Sequence, residues 1–115
     1  MNSDRFQKCI QLCISCAIEC QKCAAACLHE NDFEMLKHCI AFDRDCSALC
    51  EAAVSAMRNN NPLADRVCDV CADMCDACAD ECEKHHHHEH CNNCAKICRK
   101  CAAECRNCST AETIV

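Results

Sequence analysis

The sequence predicts an all-α protein, an antiparallel up-down-up-down four-helix bundle with a cysteine-lined core. Twenty of the 115 residues are cysteine, and most of them recur alternately three and four positions apart. An α-helix places residues with this spacing on one face. The chain also contains no glycine and only one proline. Turn-rich β folds and nucleotide-binding α/β folds are therefore disfavoured, because both need glycine in their turns.

Three segments carry the cysteine pattern. The first has steps of 4-3-4-3-4 and consists of Cys9, Cys13, Cys16, Cys20, Cys23 and Cys27. The second has steps of 3-4-3-4 and consists of Cys68, Cys71, Cys75, Cys78 and Cys82. The third has steps of 3-4-3-4-3 and consists of Cys91, Cys94, Cys98, Cys101, Cys105 and Cys108. A bundle helix normally fills this stripe with leucine or isoleucine, so sulfur replaces hydrocarbon in the predicted core.

The second helix of the chain departs from this pattern. Its core stripe is only partly thiol and reads Leu36, Cys39, Asp43, Cys46, Cys50, Ala53 and Met57. A carboxylate in a core needs a partner, and Arg44 and Arg5 are conceivable partners for Asp43. We expect Asp43 to have a structural role rather than to bind a metal.

The first half of the chain contains two predicted helices. The first spans residues 4–28, and the second begins near Asn31 or Asp32, either of which can cap a helix N-terminus. Asn31 and Glu34 also have the spacing of a capping box. The second helix is predicted to end near Arg58, where a run of three asparagines forms a polar turn.

The second half of the chain contains the other two predicted helices. Asn61 and Pro62 suit the cap and the first position of the third helix, which ends in the histidine-rich segment near residue 84. The fourth helix is predicted over residues 90–109, followed by a frayed tail. Short connections make neighbouring helices antiparallel, and the length predicts a single domain over residues 1–115.

Composition excludes several functional classes. The formal net charge is −6, and the sequence has no basic stripe with interleaved aromatic residues. Nucleic-acid binding is therefore not expected. The sequence contains no uninterrupted run of about eighteen apolar residues, so it predicts no membrane-spanning helix. The N-terminal residues lack the pattern of a secretory signal, so we expect a cytoplasmic protein. Thiols stay reduced in that compartment, where many cysteines indicate metal binding rather than disulfides.

Paired thiols on these helices have the spacing of soft-metal ligands. Cysteines at i and i+4 have Cβ atoms about 5–6 Å apart, and thiolates select Cu(I), Zn(II) or iron–sulfur clusters. Iron–sulfur clusters use compact loops rather than a helical stripe. Each Cu(I) that replaces one thiol proton leaves the core neutral, whereas four thiolates on one zinc leave a charge of about −2 in a dry core. The pattern favours multiple Cu(I) ions and leaves zinc as an alternative.

The segment 84–91 reads Lys-His-His-His-His-Glu-His-Cys and lies between two cysteine helices. His85 continues the register of the third helix, His87 extends that of the fourth backwards, and His90 precedes Cys94 by one turn. Because neutral imidazole binds copper, these three histidines are candidate ligands, with His90 the strongest. We expect this end to be the entrance for ions. The alternative is a solvated turn that is merely rich in histidine.

The opposite end is predicted to be closed by an apolar plug. Five side chains should gather there: Phe6, Val54, Met57, Leu63 and Val67. Met57 has a thioether that could bind Cu(I), but a methionine at helical spacing more often packs. We therefore predict that Met57 is a packing residue.

These motifs resemble those of the bacterial copper storage proteins, in particular the cytosolic branch. The resemblance covers almost the whole chain and rests on the three cysteine stripes, on residues 39–46 with Cys50, and on the motif from Cys78 through the histidine-rich turn to Cys94. It implies a four-helix bundle, commonly tetrameric, that holds multiple Cu(I) ions along its core. It also implies that all twenty cysteines are candidate ligands. The long histidine run departs from the family.

We therefore expect a non-enzymatic Cu(I) store and buffer, with copper chaperones or copper enzymes as conceivable partners. The alternative is a metallothionein-like sink for zinc or mixed soft metals. Stoichiometry separates them, because zinc needs about four ligands per ion. A redox enzyme would need one accessible thiol of low pKa with a resolving partner, and the sequence singles out no such pair.

Overall fold

A computed structural model describes the backbone of residues 2–114 and the side chains of residues 5–108. It contains four α-helices: α1 (Asn2–Leu28), α2 (Lys37–Arg58), α3 (Ala64–Glu83) and α4 (Glu89–Ile114). The helices α1 and α3 each pack against both α2 and α4, which gives a bundle of about 50 × 20 × 17 Å. The predicted all-α class and four-helix bundle are confirmed.

The core is built of thiols and alanines. All twenty cysteines are free and buried. Every helix also contributes buried alanines, and eight of them are nearly inaccessible: Ala17, Ala24, Ala53, Ala64, Ala72, Ala79, Ala95 and Ala102. Both residue types are small, so the helices approach closely without large aliphatic side chains. The periodicity of cysteine therefore defines the core, as the sequence predicts.

The start of α2 differs from the prediction. A short 3₁₀ helix, Phe33–Leu36, precedes α2, which begins at Lys37. Asp32 makes no side-chain capping hydrogen bond. Its carboxylate instead contacts the imidazoles of His87 and His88. The predicted cap is wrong because a partner on the α3–α4 connection competes for the same carboxylate.

The predicted start of α3 is partly right, whereas the predicted end of α4 is wrong. Asn61 Oδ1 accepts a hydrogen bond from the backbone N–H of Leu63 at 2.8 Å, so Asn61 satisfies a donor of the turn that enters α3. The helix itself begins at Ala64, two residues after Pro62. At the other end of the chain, α4 continues to Ile114, so a frayed tail from residue 109 is wrong for the described backbone. Val115 lies outside the described residues.

The end of the bundle opposite the histidines is apolar. Phe6 and Met57 are 1% and 0% exposed, and Val54 is also buried. Val67 is partly buried against the same core, whereas Leu63 is 53% exposed. The predicted plug is therefore present without Leu63, which lies in the turn before α3 and faces away from the core.

Hydropathy alone does not distinguish α1 from a membrane-spanning helix. The segment Arg5–Leu28 is long and apolar enough to cross a bilayer, with a hydropathy of 1.2. Six cysteines contribute much of this value, and all six are buried in the bundle. Polar residues such as Gln11 and Glu19 interrupt the segment, so it contains no uninterrupted apolar run. A single such helix is weak evidence for a membrane, since a core helix passes the same test.

Candidate metal centre

The cysteine sulfurs form a continuous column along the bundle. Between α1 and α4, Cys9 Sγ lies 3.4 Å from Cys105 Sγ, and Cys20 Sγ lies 3.7 Å from Cys94 Sγ. Similar distances join α2 to α3, where Cys39 Sγ lies 3.5 Å from Cys82 Sγ. Two sulfurs of one tetrahedral zinc site, with bonds of about 2.3 Å, lie about 3.8 Å apart. Neighbouring thiols in the column are therefore spaced to share a metal ion.

Thiols of different helices also meet in groups of four whose sulfurs all lie within 4.8 Å of one another. The groups include Cys13 with Cys50, Cys71 and Cys101; Cys16 with Cys46, Cys50 and Cys75; Cys16 with Cys20, Cys46 and Cys98; and Cys20 with Cys78, Cys94 and Cys98. Successive groups share members. An ion can therefore pass from one group to the next by exchanging one thiolate at a time, without leaving sulfur.

Many thiols of this column hold their protons more tightly than an exposed thiol does. Hydrogen bonds with neighbouring thiols such as Cys16, together with burial, raise the pKa of Cys98. A hydrogen bond with Cys68 and burial raise the pKa of Cys108 to about 12. Metal binding requires thiolates and therefore releases protons. A Cu(I) ion that replaces one such proton leaves the local charge unchanged, which a dry core favours.

Asp43 lies within the thiol column and is 0% exposed. The thiols of Cys78, Cys94 and Cys82 donate to its Oδ1 at 3.2, 3.3 and 3.6 Å. Burial and the neighbouring Cys94 raise the pKa of Asp43 to about 8. At neutral pH the carboxyl is therefore protonated in most molecules. A protonated carboxyl can lie among thiols without a counter-cation.

The predicted arginine partners of Asp43 are wrong. Arg44 is exposed on α2, and Arg5 contacts Asp65 and the backbone carbonyl of Cys108, each at 3.0 Å. Thiols are the partners instead, although S–H is a weak donor. The sequence does indicate thiol neighbours, because the position of Asp43 between Cys39 and Cys46 places its carboxyl on the cysteine stripe.

His90 links the thiol column to the surface at the start of α4. Its Nδ1 lies 3.4 Å from Cys23 Sγ, 3.6 Å from Cys91 Sγ and 4.0 Å from Cys27 Sγ. Its Nε2 donates to Glu30 Oε2 at 2.8 Å. Because a carboxylate only accepts, the proton of a neutral His90 resides on Nε2, and Nδ1 is free to bind a metal. Together, Cys23, Cys27, Cys91 and His90 form a four-ligand group at this end.

The other two predicted histidines contact carboxylates. His85 Nε2 lies 3.1 Å from Glu81 Oε2, and His87 Nε2 lies 3.2 Å from Asp32 Oδ2. Neither ring forms a hydrogen bond to a thiol among the side chains of residues 5–108. Although burial opposes it, His85 with Lys84 holds the pKa of Glu81 below its ordinary value. Of the three histidines, the structure brings only His90 to the sulfurs, and metal binding at His85 and His87 stays a prediction.

His88 was not singled out by the sequence, yet it lies at the centre of this end. Its Nδ1 contacts Glu30 Oε2 at 3.2 Å and its Nε2 contacts Asp32 Oδ1 at 3.0 Å. The residue lies outside the cysteine register, so periodicity alone did not identify it. Its partners are more than fifty positions away in the sequence, and only the antiparallel arrangement of the helices brings them together.

Three known proteins have similar sequences or structures. The uncharacterized cysteine-rich protein YhjQ of Bacillus subtilis (strain 168) is 44% identical over 85 residues, which cover 74% of this chain and 78% of YhjQ. The Cu(I)-bound copper storage protein BsCsp3 matches with a TM-score of 0.87 and 42% identity, over 91% of this chain and 98% of its own. A cytosolic copper storage protein of Streptomyces lividans with five coppers matches with a TM-score of 0.90 and 35% identity, over 95% of both chains.

The family comparison agrees with these relatives. The family model described as copper storage protein matches residues 2–110, which is nearly the full length of the chain. The match includes all twenty cysteines of the column and the histidine-rich turn. The resemblance inferred from the cysteine stripes is therefore confirmed, and this chain belongs to the copper storage protein family.

Proposed function

We propose that this chain stores Cu(I) at about one ion per core thiol and takes the ions up at the end that contains His90. The observation that carries the proposal is the column of twenty buried, unpaired thiols, many of which belong to overlapping four-membered groups. Thiolate is a soft ligand that Cu(I) prefers. Exchange of one proton for one Cu(I) keeps the column neutral at every stage of filling, so no charge accumulates in the low-dielectric interior.

The direction of loading follows from a difference in exposure. His90 is 21% exposed, and its Nδ1 contacts three thiols, so an ion bound by His90 is already adjacent to sulfur. The first group to fill is then Cys23, Cys27, Cys91 and His90. From there, Cys39 leads inward, because its Sγ lies 4.0 Å from Cys91 Sγ and 3.5 Å from Cys82 Sγ. The plug of Phe6 and Met57 closes the far end against ions and water.

Cellular context follows from the same chemistry. Twenty free thiols need a reducing environment, and the Streptomyces lividans relative is described as cytosolic, so we assign this chain to the cytoplasm. Storage requires no catalysis, and copper chaperones or copper enzymes are the expected sources and recipients of the ions.

Ile14 and Ile18 are 37% and 50% exposed on one face of α1. This apolar face supports association of copies, with a homotetramer as the expected state.

Partial loading tests the proposed route. Crystals of protein prepared anaerobically with about two equivalents of Cu(I) would be measured at the copper absorption edge, where anomalous density locates each ion. We expect the first density beside His90 Nδ1 and the sulfurs of Cys23, Cys27 and Cys91. First occupancy beside Cys9 and Cys105, at the plugged end, would contradict entry at the histidine end.

A further inference from the structure

A second cluster of potential ligands lies outside the thiol column, where the α1–α2 connection meets the α3–α4 connection. It consists of Asp32 from the first connection with His87 and His88 from the second. Asp32 Oδ2 lies 3.2 Å from His87 Nε2 and also 3.2 Å from His88 Nε2. One carboxylate oxygen therefore faces two imidazole nitrogens, and the centroids of the two rings lie 4.1 Å apart.

These distances are close to those in a metal site. Zinc binds histidine nitrogen and carboxylate oxygen at about 2.0–2.2 Å in tetrahedral geometry, which places any two ligand atoms about 3.3–3.5 Å apart. The observed separations between Asp32 and each of the two histidines are within a few tenths of an ångström of this value.

Glu30 provides the support that metal-binding histidines usually have. Its Oε2 lies 3.2 Å from His88 Nδ1, so it accepts the proton on that nitrogen and leaves Nε2 directed at Asp32. A carboxylate that receives one ring N–H while the other nitrogen binds the ion is the common second partner in zinc sites. Without a metal, both nitrogens of His88 face carboxylate oxygens. A metal cation would lie between Nε2 and the carboxylate of Asp32.

The cluster is accessible and includes a carboxylate. The side chain of His87 is 57% exposed and that of Asp32 is 33% exposed, while His88 is held more firmly at 14%. Hydrogen bonding to His87 holds the pKa of Asp32 below its ordinary value, so the carboxylate is in the form that binds cations. An ion bound here would keep one position open to water.

We propose that Asp32, His87 and His88 form a second metal site, distinct from the thiol column, that binds one borderline divalent cation of the Zn(II) class. Its nitrogen and oxygen ligands suit Zn(II), whereas Cu(I) prefers the sulfurs deeper in the bundle. The two kinds of ion would therefore be sorted by ligand type at the same end of the protein. A bound divalent ion would also join the α1–α2 connection to the α3–α4 connection beside His90.

The test uses protein that has first been filled with Cu(I) under anaerobic conditions, so that its thiols are occupied. Co(II) is then added as a spectroscopic substitute for Zn(II). We expect one Co(II) per chain, visible d–d bands, no sulfur-to-cobalt charge transfer in the near ultraviolet, and displacement by Zn(II). Absence of uptake, or a charge-transfer band that shows thiolate ligation, would overturn the proposal.

Matched variants distinguish specific binding by Asp32 and His88 from non-specific binding by the histidine-rich turn. Asp32→Asn and His88→Ala should each weaken Co(II) binding by at least about tenfold. His86→Ala is the control, because His86 is exposed in the same turn and its ring forms no hydrogen bond among the described side chains. Equal weakening by His86→Ala would overturn the proposal in favour of non-specific binding by the run. Total Cu(I) uptake, measured on the same samples, should be unchanged in all three variants and reports separately on the storage function.

Discussion

The two ends of the bundle contain the same cysteine spacing but differ in what covers the last thiols. At one end the column stops beneath Phe6 and Met57, which are 1% and 0% exposed. At the other it stops at His90, whose ring is 21% exposed and is held by Glu30. Access to the store is therefore determined by the residues at each end and not by the column itself. This difference can be tested by altering each end separately.

The largest expected effect is on stability at the closed end. Phe6→Ala should lower the free energy of unfolding of the metal-free protein by about 3–5 kcal/mol, because it removes a fully buried ring and leaves a cavity. Denaturant unfolding followed by circular dichroism measures this. His90→Ala, at the partly exposed end, should cost less than about 1 kcal/mol. Equal losses at the two ends would show that the closed end is not a packed plug.

The next effect concerns the middle of the column. Because burial raises the pKa of Asp43 to about 8, the folded protein holds this proton more tightly than the unfolded chain, whose carboxyl has a pKa near 3.9. The stabilisation is complete below about pH 4 and falls progressively as the pH rises to about 8, by roughly 3–4 kcal/mol between pH 5 and pH 8.

Comparison of the metal-free protein with Asp43→Asn isolates this contribution, because the other titrating groups are the same in both. Between pH 5 and pH 8, urea unfolding should show a fall in stability for the parent protein that is much smaller in the variant. Parallel pH profiles would mean that Asp43 is ionised in the folded state, and its protonation among the thiols would then be wrong.

A kinetic effect is expected at the open end. His90→Ala should slow the transfer of the first two or three Cu(I) ions from a chromophoric chelator by about tenfold or more, because the nitrogen next to Cys23 is lost. Stopped-flow absorbance of the chelator measures the rate, and His86→Ala is the control at an exposed position in the same segment. Unchanged rates in His90→Ala would place the entrance elsewhere.

The smallest effect is expected for Met57. Met57→Leu conserves volume and should change the free energy of unfolding by less than about 1.5 kcal/mol. The number of Cu(I) ions bound, measured by titration against a chelator, should also stay the same if Met57 only packs. Loss of an ion in this variant would show that its thioether is a ligand and that the column extends to the plugged end.

The sequence predicted the fold and the thiol column because both depend on local periodicity. A period near 3.6 places cysteines on one face, and asparagine with proline marks the turn before α3. The errors arose where partners are distant in the sequence. Asp32 was predicted to cap α2, but His87 and His88 compete for it from the opposite connection. For Asp43 the sequence offered only arginines as conceivable partners, because S–H is a weak donor, whereas the structure gives it thiols.

The most direct measurement is an anaerobic titration of the fully reduced protein with Cu(I) in the presence of a chromophoric Cu(I) chelator. We expect the chelator to stay empty until uptake approaches one ion per cysteine, for a chain with twenty cysteines. Saturation at roughly four to six ions is the result for four-coordinate sites such as those of zinc. That result, or ready loss of copper to the chelator, would contradict a thiol column built to store Cu(I).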